Sequence, residues 1–207
     1  MIRLDPELLI GSGTVRACYH YPEKPELVVK VSLPGRAEGE AANTMEWKSY
    51  RRILRGNAEV DHISHCRGFV ETDQGRGLVC DCIRDADGSV SETIWDIVVY
   101  RDNCDLDRLV SVADGFCSYL LANDLFLFDI NLKNIALQVQ PDGSCKPFAI
   151  DLKGPFDNKE FLRLSSRIRF LGRKKLQRRA RQLRERIVLF RELREELKEN
   201  DRRSPIR

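Results

Sequence analysis

Short apolar runs separated by turn residues occupy much of residues 7–83 and predict strands, with one helix among them. The apolar runs with the length and β-branched content of strands span residues 7–10, 14–19, 26–31, 63–72 and 77–83. Residues 35–54 instead carry apolar side chains at three- and four-residue steps, the period of a helix. This order of elements predicts an α+β fold.

Helical periods return in residues 91–100 and 106–123, and two short apolar strands follow around a Pro141-Asp142-Gly143 turn. Near the C-terminus, five apolar positions step by four, three, four and three, which is the spacing of a narrow apolar seam on a helix. They are Leu176, Ala180, Leu183, Ile187 and Phe190.

Composition narrows the class of protein. A chain of 207 residues with 42% hydrophobic side chains is long enough for one substantial domain or a small two-lobed one. Seven irregularly spaced cysteines do not indicate a disulfide framework, so we expect a reducing compartment. With neither a signal-like N-terminus nor a long apolar run, the chain is expected to be cytoplasmic, with no transmembrane segment.

The densest candidate chemistry lies in residues 125–154. Asp129 precedes Asn134 by five residues, and Asp151 ends the second strand of the hairpin that follows. One carboxylate that accepts a proton, with an amide oxygen and a second carboxylate that hold Mg²⁺, is the set that phosphoryl transfer requires. The alternative for each half alone is ordinary turn and capping chemistry, because Asp and Asn are common in such loops.

A glycine turn near the N-terminus adds a weaker signal. Gly11, Ser12 and Gly13 separate two predicted strands, as in a loop whose backbone N–H groups cover nucleotide phosphates. A third glycine would complete the pattern, but Arg16 stands in its place. A plain hairpin turn would have much the same sequence.

One lysine interrupts a valine-rich strand. Burying Lys30 is costly unless its ammonium group has a charged partner, and the following helix offers Glu38, Glu40 and Glu46. We select Glu46, which lies on or beside the inward face, whereas the other two lie where the helix begins. The alternative is a lysine on the solvent side of an edge strand.

Cysteines and histidines at residues 62–82 also suggest a metal site, but Cys80 and Cys82 alternate along a predicted strand and are more simply explained as buried core thiols. We assign no structural metal there.

Taken together, the segments GSG, VVKV, EWKSYRRIL, GLVCDCIRDADG, FDINLKN and AIDLKG resemble the PhoP regulatory network YrbL family. These are small bacterial proteins grouped with the protein-kinase-like fold, and lipopolysaccharide-core sugar kinases are the next nearest likeness. The resemblance covers roughly residues 5–175. It implies a two-lobed kinase-like fold with a reduced, helical C-lobe that binds ATP and Mg²⁺.

The resemblance assigns roles to individual positions. Lys30 would bind phosphates and pair with Glu46, Asp129 would be the catalytic base, and Asn134 and Asp151 would hold Mg²⁺. Three further cofactor contacts are expected from the glycine turn, from Asp81 where the chain leaves the strand toward the adenine, and from Lys133. The nucleotide-contacting turn residues are Gly11, Ser12 and Gly13.

Several positions depart from the kinase pattern. Leu127-Phe128 replaces the usual His-Arg, Asn131 replaces the expected lysine, and Asp151-Leu152-Lys153-Gly154 replaces Asp-Phe-Gly. No Ala-Pro-Glu segment follows, so the peptide-docking part of a protein kinase is missing and we expect a non-protein acceptor, whose identity stays open.

The expected organisation is an N-lobe at residues 1–84, a reduced C-lobe at 85–172 and a basic helix and tail at 173–207.

The cations from 163 to 186 are opposed only by Glu185, which suggests an acidic partner such as anionic lipid, nucleic acid or protein. The alternative is a solvated helix packed on its own domain. The seam at residues 176–190 also allows pairing of two copies.

Two functions remain open at this point. The first is an active ATP- and Mg²⁺-dependent phosphotransferase. The second is a catalytically weak or inactive nucleotide-binding regulatory protein that acts through its basic helix on a protein or nucleic-acid partner.

Overall fold

A computed structural model describes residues 1–56, 60–127, 129–152 and 169–203. Its strands are β1 (Leu9–Ser12), β2 (Arg16–Tyr21), β3 (Lys24–Ser32), β4 (Cys66–Thr72), β5 (Gly75–Asp81), β6 (Ile135–Val139) and β7 (Cys145–Ala149). Its helices are α1 (Glu38–Gly56), α2 (Ile94–Tyr100), α3 (Leu106–Ala122) and α4 (Arg169–Arg203), with short 3-10 turns at Pro6–Leu8 and Leu132–Asn134. The predicted α+β class is confirmed.

The first five strands form one antiparallel sheet in the order β1-β2-β3-β5-β4. Central strand β3 carries several buried side chains in succession. Because successive side chains of a strand point to opposite faces of the sheet, β3 is buried on both faces. Val29 and Val31 pack with Leu4 and Ala17 on one face, whereas Val28 belongs to the main core on the other. Lys30 therefore points toward the main core.

Helix α1 covers that second face of the sheet. Asn43, Glu46 and Tyr50 recur at three- and four-residue steps and are all buried. The side-chain amide of Asn43 donates a 2.8 Å hydrogen bond to the carbonyl oxygen of Lys30, which ties the helix to β3. Asn43 and Glu46 therefore both bond Lys30.

The second half of the chain combines helices with the β6–β7 hairpin. Thr93 and Asp96 form a capping box that starts α2, and Asp105 accepts a hydrogen bond from the backbone N–H of Arg108 at the start of α3. The turn between β6 and β7 contains Gly143, whose φ of 77° suits glycine. One continuous core includes residues on both sides of position 84, and the predicted domain boundaries stay predictions.

Helix α4 has 35 residues, a length of about 52 Å. Its seam residues Leu176, Leu183 and Ile187 are no more than 2% exposed and join the main core, and the helix packs along α3 and α2. The apolar seam is thus covered within the chain, and pairing of two copies through residues 176–190 would have to displace these contacts. None of the helices in the described part of the chain combines the length and apolar character needed to cross a bilayer.

Replacing Ile187 with alanine tests whether α4 is part of the folded core. Ile187 is fully buried, so Ile187→Ala should lower the free energy of unfolding by about 3 kcal/mol through lost burial and a cavity. The matched control is Leu189→Ala, two residues along and 50% exposed, which should cost less than about 1 kcal/mol. Urea denaturation followed by circular dichroism gives both values, and equal losses would contradict the packing of α4.

Candidate active site

A buried ion pair joins β3 to α1. Lys30 is 9% exposed and Glu46 only 2%, and the Lys30 Nζ atom lies 2.6 Å from Glu46 Oε1. Removing either charge from water costs several kcal/mol, so the two groups can be buried here only because each offsets the charge of the other. Lys30 Nζ also donates to the carbonyl oxygen of Ile150 at 2.5 Å, the residue directly before Asp151.

Arg16 extends this pair into a cluster of four charged groups. Its guanidinium donates to Glu46 Oε2 at 2.6 Å and to Asp151 Oδ1 at 2.8 Å, and a third bond reaches the side-chain oxygen of Asn43 at 2.9 Å. We call Arg16, Lys30, Glu46 and Asp151 the charge cluster. It contains two cations and two carboxylates, so its formal charge is zero.

The two cations of the charge cluster stay protonated. Burial is the largest single influence and would lower the pKa of Lys30 and that of Arg16, but the neighbouring carboxylates, Glu46 first, together outweigh it and raise both pKa values. Asp151 adds to the rise at both residues. Lys30 and Arg16 therefore both keep their positive charge beside Asp151 at neutral pH.

The loop before β6 carries the second group of predicted residues. The side-chain nitrogen of Asn134 donates to Asp129 Oδ2 at 3.2 Å, and that of Asn131 donates to Asp129 Oδ1 at 3.3 Å. The backbone carbonyl of Asn134 accepts from the N–H of Ile150 at 3.0 Å, which holds the loop against the end of β7. These bonds orient the Asp129 carboxylate and leave the amide oxygen of Asn134 available as a ligand.

Asp129, Asn134 and Asp151 line one small cavity of about 10 Å³, roughly the space that one water molecule or a small ion requires. Carboxylate and amide oxygens are hard ligands of the kind that Mg²⁺ prefers, so the donor set fits this ion. Arg16 already bonds one oxygen of Asp151, and a cation in the cavity would share that carboxylate with the guanidinium or displace it.

Other predicted residues lie away from this cavity. Gly11 and Ser12 belong to exposed β1, and the backbone N–H of Gly13 donates to the carbonyl oxygen of Arg16 within the hairpin. Lys133 is exposed, and its Nζ lies 4.5 Å from the ring centre of Trp95. The hairpin contributes Arg16 to the charge cluster.

Asp81 is held by its neighbours through both its side chain and its carbonyl oxygen. Its carboxylate accepts two hydrogen bonds from Arg67 on β4, at 2.7 and 3.1 Å, and its carbonyl oxygen accepts one from the hydroxyl of Ser64. The side chain is thus directed to the neighbouring strand β4, because the closest opposite charge lies there. Phe128 and residues 153–168, including Lys153 and Gly154 of the segment after Asp151, lie outside the described residues.

Arg16 is the residue of the cluster to which the sequence pattern assigned no role. The signal was present, because Arg16 occupies the position at which the glycine pattern expected a third glycine. A long cation at that position of β2 can reach inward to the carboxylates of Glu46 and Asp151.

Two buried thiols lie beside the cluster. Ligand atoms of Glu46, Cys66 and Cys80 lie within 4.8 Å of one another, a different set from the one considered on sequence. Hydrogen bonding to Cys80 and burial raise the pKa of Cys66, so its thiol stays protonated, and both oxygens of Glu46 bind cationic side chains. These features suit core packing better than metal binding.

Replacing Glu46 with glutamine should unbalance the charge cluster. Glu46→Gln keeps the shape but leaves Lys30 and Arg16 next to a neutral amide, which should cost about 3 kcal/mol of unfolding free energy. The control is Glu40→Gln, the same change at an exposed position of α1, expected to cost less than about 0.5 kcal/mol. Chemical denaturation measures both, and a loss at Glu46 as small as that at Glu40 would refute the energetic role of the cluster.

The sequence of this chain is similar to that of one known protein family. Residues 2–188 match the family described as PhoP regulatory network protein YrbL. Two curated relatives, from Escherichia coli (strain K12) and Shigella flexneri, are each named "Uncharacterized protein YrbL" and are 30% identical over 139 residues. The matched part covers 65% of this chain and 65% of the length of each relative. Since the family match extends over nearly the whole chain, the protein belongs to the PhoP regulatory network protein YrbL family.

Proposed function

We propose that the chain binds ATP with Mg²⁺ and transfers the γ-phosphoryl group to a hydroxyl of a non-protein acceptor. The observation that carries the proposal is the cavity that Asp129, Asn134 and Asp151 share, next to the buried Lys30–Glu46 pair. Burying charged groups costs free energy, and clusters of such groups are therefore common at functional sites. A lysine, two carboxylates and an amide oxygen are the groups that phosphoryl transfer needs.

Each residue has a distinct role in this proposal. Lys30, held by Glu46, binds phosphate oxygens, and Asn134 and Asp151 hold Mg²⁺, which offsets phosphate charge when bound. Asp129 orients the acceptor hydroxyl and takes its proton. A bond forms between the acceptor oxygen and the γ-phosphorus while the bond to the β,γ-bridging oxygen breaks, so ADP leaves with that electron pair.

A non-protein acceptor is supported by the position of α4. This helix packs along α2 and α3, and its side chains border the space next to Asp129 together with the loop before β6. Among the described residues, α4 thus borders the space next to Asp129, which favours a small acceptor over an extended peptide.

Thermal unfolding with ATP, in Mg²⁺ and then in EDTA, tests the nucleotide site. Ligand at about one hundred times its dissociation constant should stabilise the protein by roughly 2.7 kcal/mol. We expect this shift in Mg²⁺ only. Asp151→Asn should abolish it, whereas Asp142→Asn, in the exposed turn between β6 and β7, should retain it.

ADP formation tests the transfer step with the same proteins. Asp129→Asn should keep the Mg²⁺-dependent thermal shift and lower turnover by at least about 100-fold, because the base is lost while the phosphate contacts remain. Turnover of Asp129→Asn equal to that of the unmodified chain would sink the assignment of the base.

We infer a second candidate function from Arg16, namely nucleotide binding without catalysis in a regulatory role. Its guanidinium bonds the same Asp151 carboxylate that Mg²⁺ would need, so the chain supplies its own cation there. The description of the family as a PhoP regulatory network protein agrees with a regulatory role, in which the exposed cations of α4 would contact an acidic partner.

Arg16→Gln separates the two candidates. If Arg16 replaces the metal, the unmodified chain should bind ATP equally well in Mg²⁺ and in EDTA, and Arg16→Gln should weaken binding in EDTA by about tenfold. If the phosphotransferase proposal holds, binding requires Mg²⁺ in both proteins. Isothermal titration gives the affinities, and Arg36→Gln, an exposed arginine in the loop before α1, is the control.

A further inference from the structure

A second, larger cavity of about 350 Å³ also borders Asp129. Its size is within the usual range of sites for small molecules. Asp129 lines both this cavity and the small one that it shares with Asn134 and Asp151. A molecule in the larger cavity would therefore lie beside the proposed base, at the position from which a hydroxyl has to approach.

Cations from two separate segments line this cavity. Lys133 comes from the loop before β6, while Arg179 and Arg186 come from α4. The two arginines are seven residues apart, which places them on one face of the helix. Asp129 is the one carboxylate among the described lining residues.

Most arginines of α4 outside this cavity have acidic partners of their own. Arg173 lies 2.8 Å from Asp124, and Arg194 lies 2.7 Å from Asp102. Arg186 is exposed, and among the described residues it has no carboxylate partner and no hydrogen bond. The positive charge of Arg186 adds little to the stability of the helix, but it favours the binding of an anionic ligand in the neighbouring cavity.

Two aromatic rings form the apolar part of the wall. Trp95 and Phe190 pack edge to face with ring centres 5.1 Å apart, and the ammonium of Lys133 lies over the Trp95 ring. This wall can contact the carbon skeleton of a ligand while the cations bind its charged group. Mixed lining of this kind is typical of sites that orient a small polar molecule.

We propose that this cavity binds the acceptor, and that the acceptor is a small hydroxylated compound carrying a phosphate or carboxylate group. This inference rests on the proposed phosphotransferase function. Arg186, Arg179 and Lys133 bind the anionic group, the aromatic wall contacts the carbon atoms, and the hydroxyl lies against Asp129. The fixed anionic group thus selects which hydroxyl meets the base.

The tryptophan in the cavity wall provides a direct readout. The chain has two tryptophans, so Trp47→Phe leaves Trp95 as the single indole reporter. Its emission is titrated without nucleotide, using glycerol 3-phosphate, glycerate and uncharged glycerol as probes. We expect saturable changes with one or both anionic probes in the millimolar range and none with glycerol. The comparison of the two anions identifies the preferred group.

Matched arginine variants test the location of the anion site. Arg186→Gln in the Trp47→Phe background should weaken binding of the anionic probe about tenfold. Arg181→Gln removes the same charge from an exposed position on a different face of α4 and should change it less than about twofold. Equal losses would indicate a general basic surface and overturn the proposal, as would the absence of saturation with both anions up to about 10 mM.

The test of anion binding and the test of the nucleotide site can fail independently of each other. Saturable anion binding lost in Arg186→Gln, with no thermal shift from ATP, would refute the phosphotransferase function and with it the acceptor role, while an anion site would remain. A Mg²⁺-dependent shift from ATP without anion binding would refute the acceptor inference alone.

Discussion

The pairing of the buried Lys30 and Glu46 with the partly buried Arg16 and Asp151 is the interaction on which the rest of the molecule depends. Each group would be costly to bury alone, and the cluster is tolerable because two cations face two carboxylates at 2.6 to 2.8 Å. Its members come from β2, β3, α1 and the end of β7. The bonds from Lys30 and Arg16 to residues 150 and 151 therefore attach the five-stranded sheet to the second half of the chain.

The same charges create a competition at Asp151. A nucleotide with its metal would bring phosphate oxygens to Lys30 and a cation to Asp151, where Arg16 is already bound. Binding would then require Arg16 to exchange one carboxylate for another anion, and a phosphate is the natural replacement for a guanidinium. Fold stability and the proposed nucleotide binding would thus use the same groups, and the two proposed functions differ in the state of Arg16.

Some residues of helix α4 hold the helix against the rest of the fold, and others line the cavity beside Asp129. Its apolar seam completes the main core, and Arg173, Arg191 and Arg194 bind carbonyl or carboxylate oxygens near the ends of α3 and α2. Cations near helix C-termini are favourable because carbonyl groups there lack partners within the helix. Arg179 and Arg186 instead face the cavity beside Asp129, so the helix also shapes the approach to the proposed base.

The sequence by itself determined the α+β class, most of the elements and the candidate residues whose roles depend on local spacing. Valine-rich β3 and the three- and four-residue steps of α1 bring Lys30 and Glu46 to facing surfaces, and the short interval between Asp129 and Asn134 sets their contact. Tertiary structure decided the rest. The bond from Arg16 to Asp151 spans 135 residues, Asp81 turns to Arg67 on a neighbouring strand, and α4 forms one wall of the cavity at Asp129. Periodicity describes which side of an element is buried, but it cannot specify which distant charge a side chain will meet, because that depends on how the elements pack.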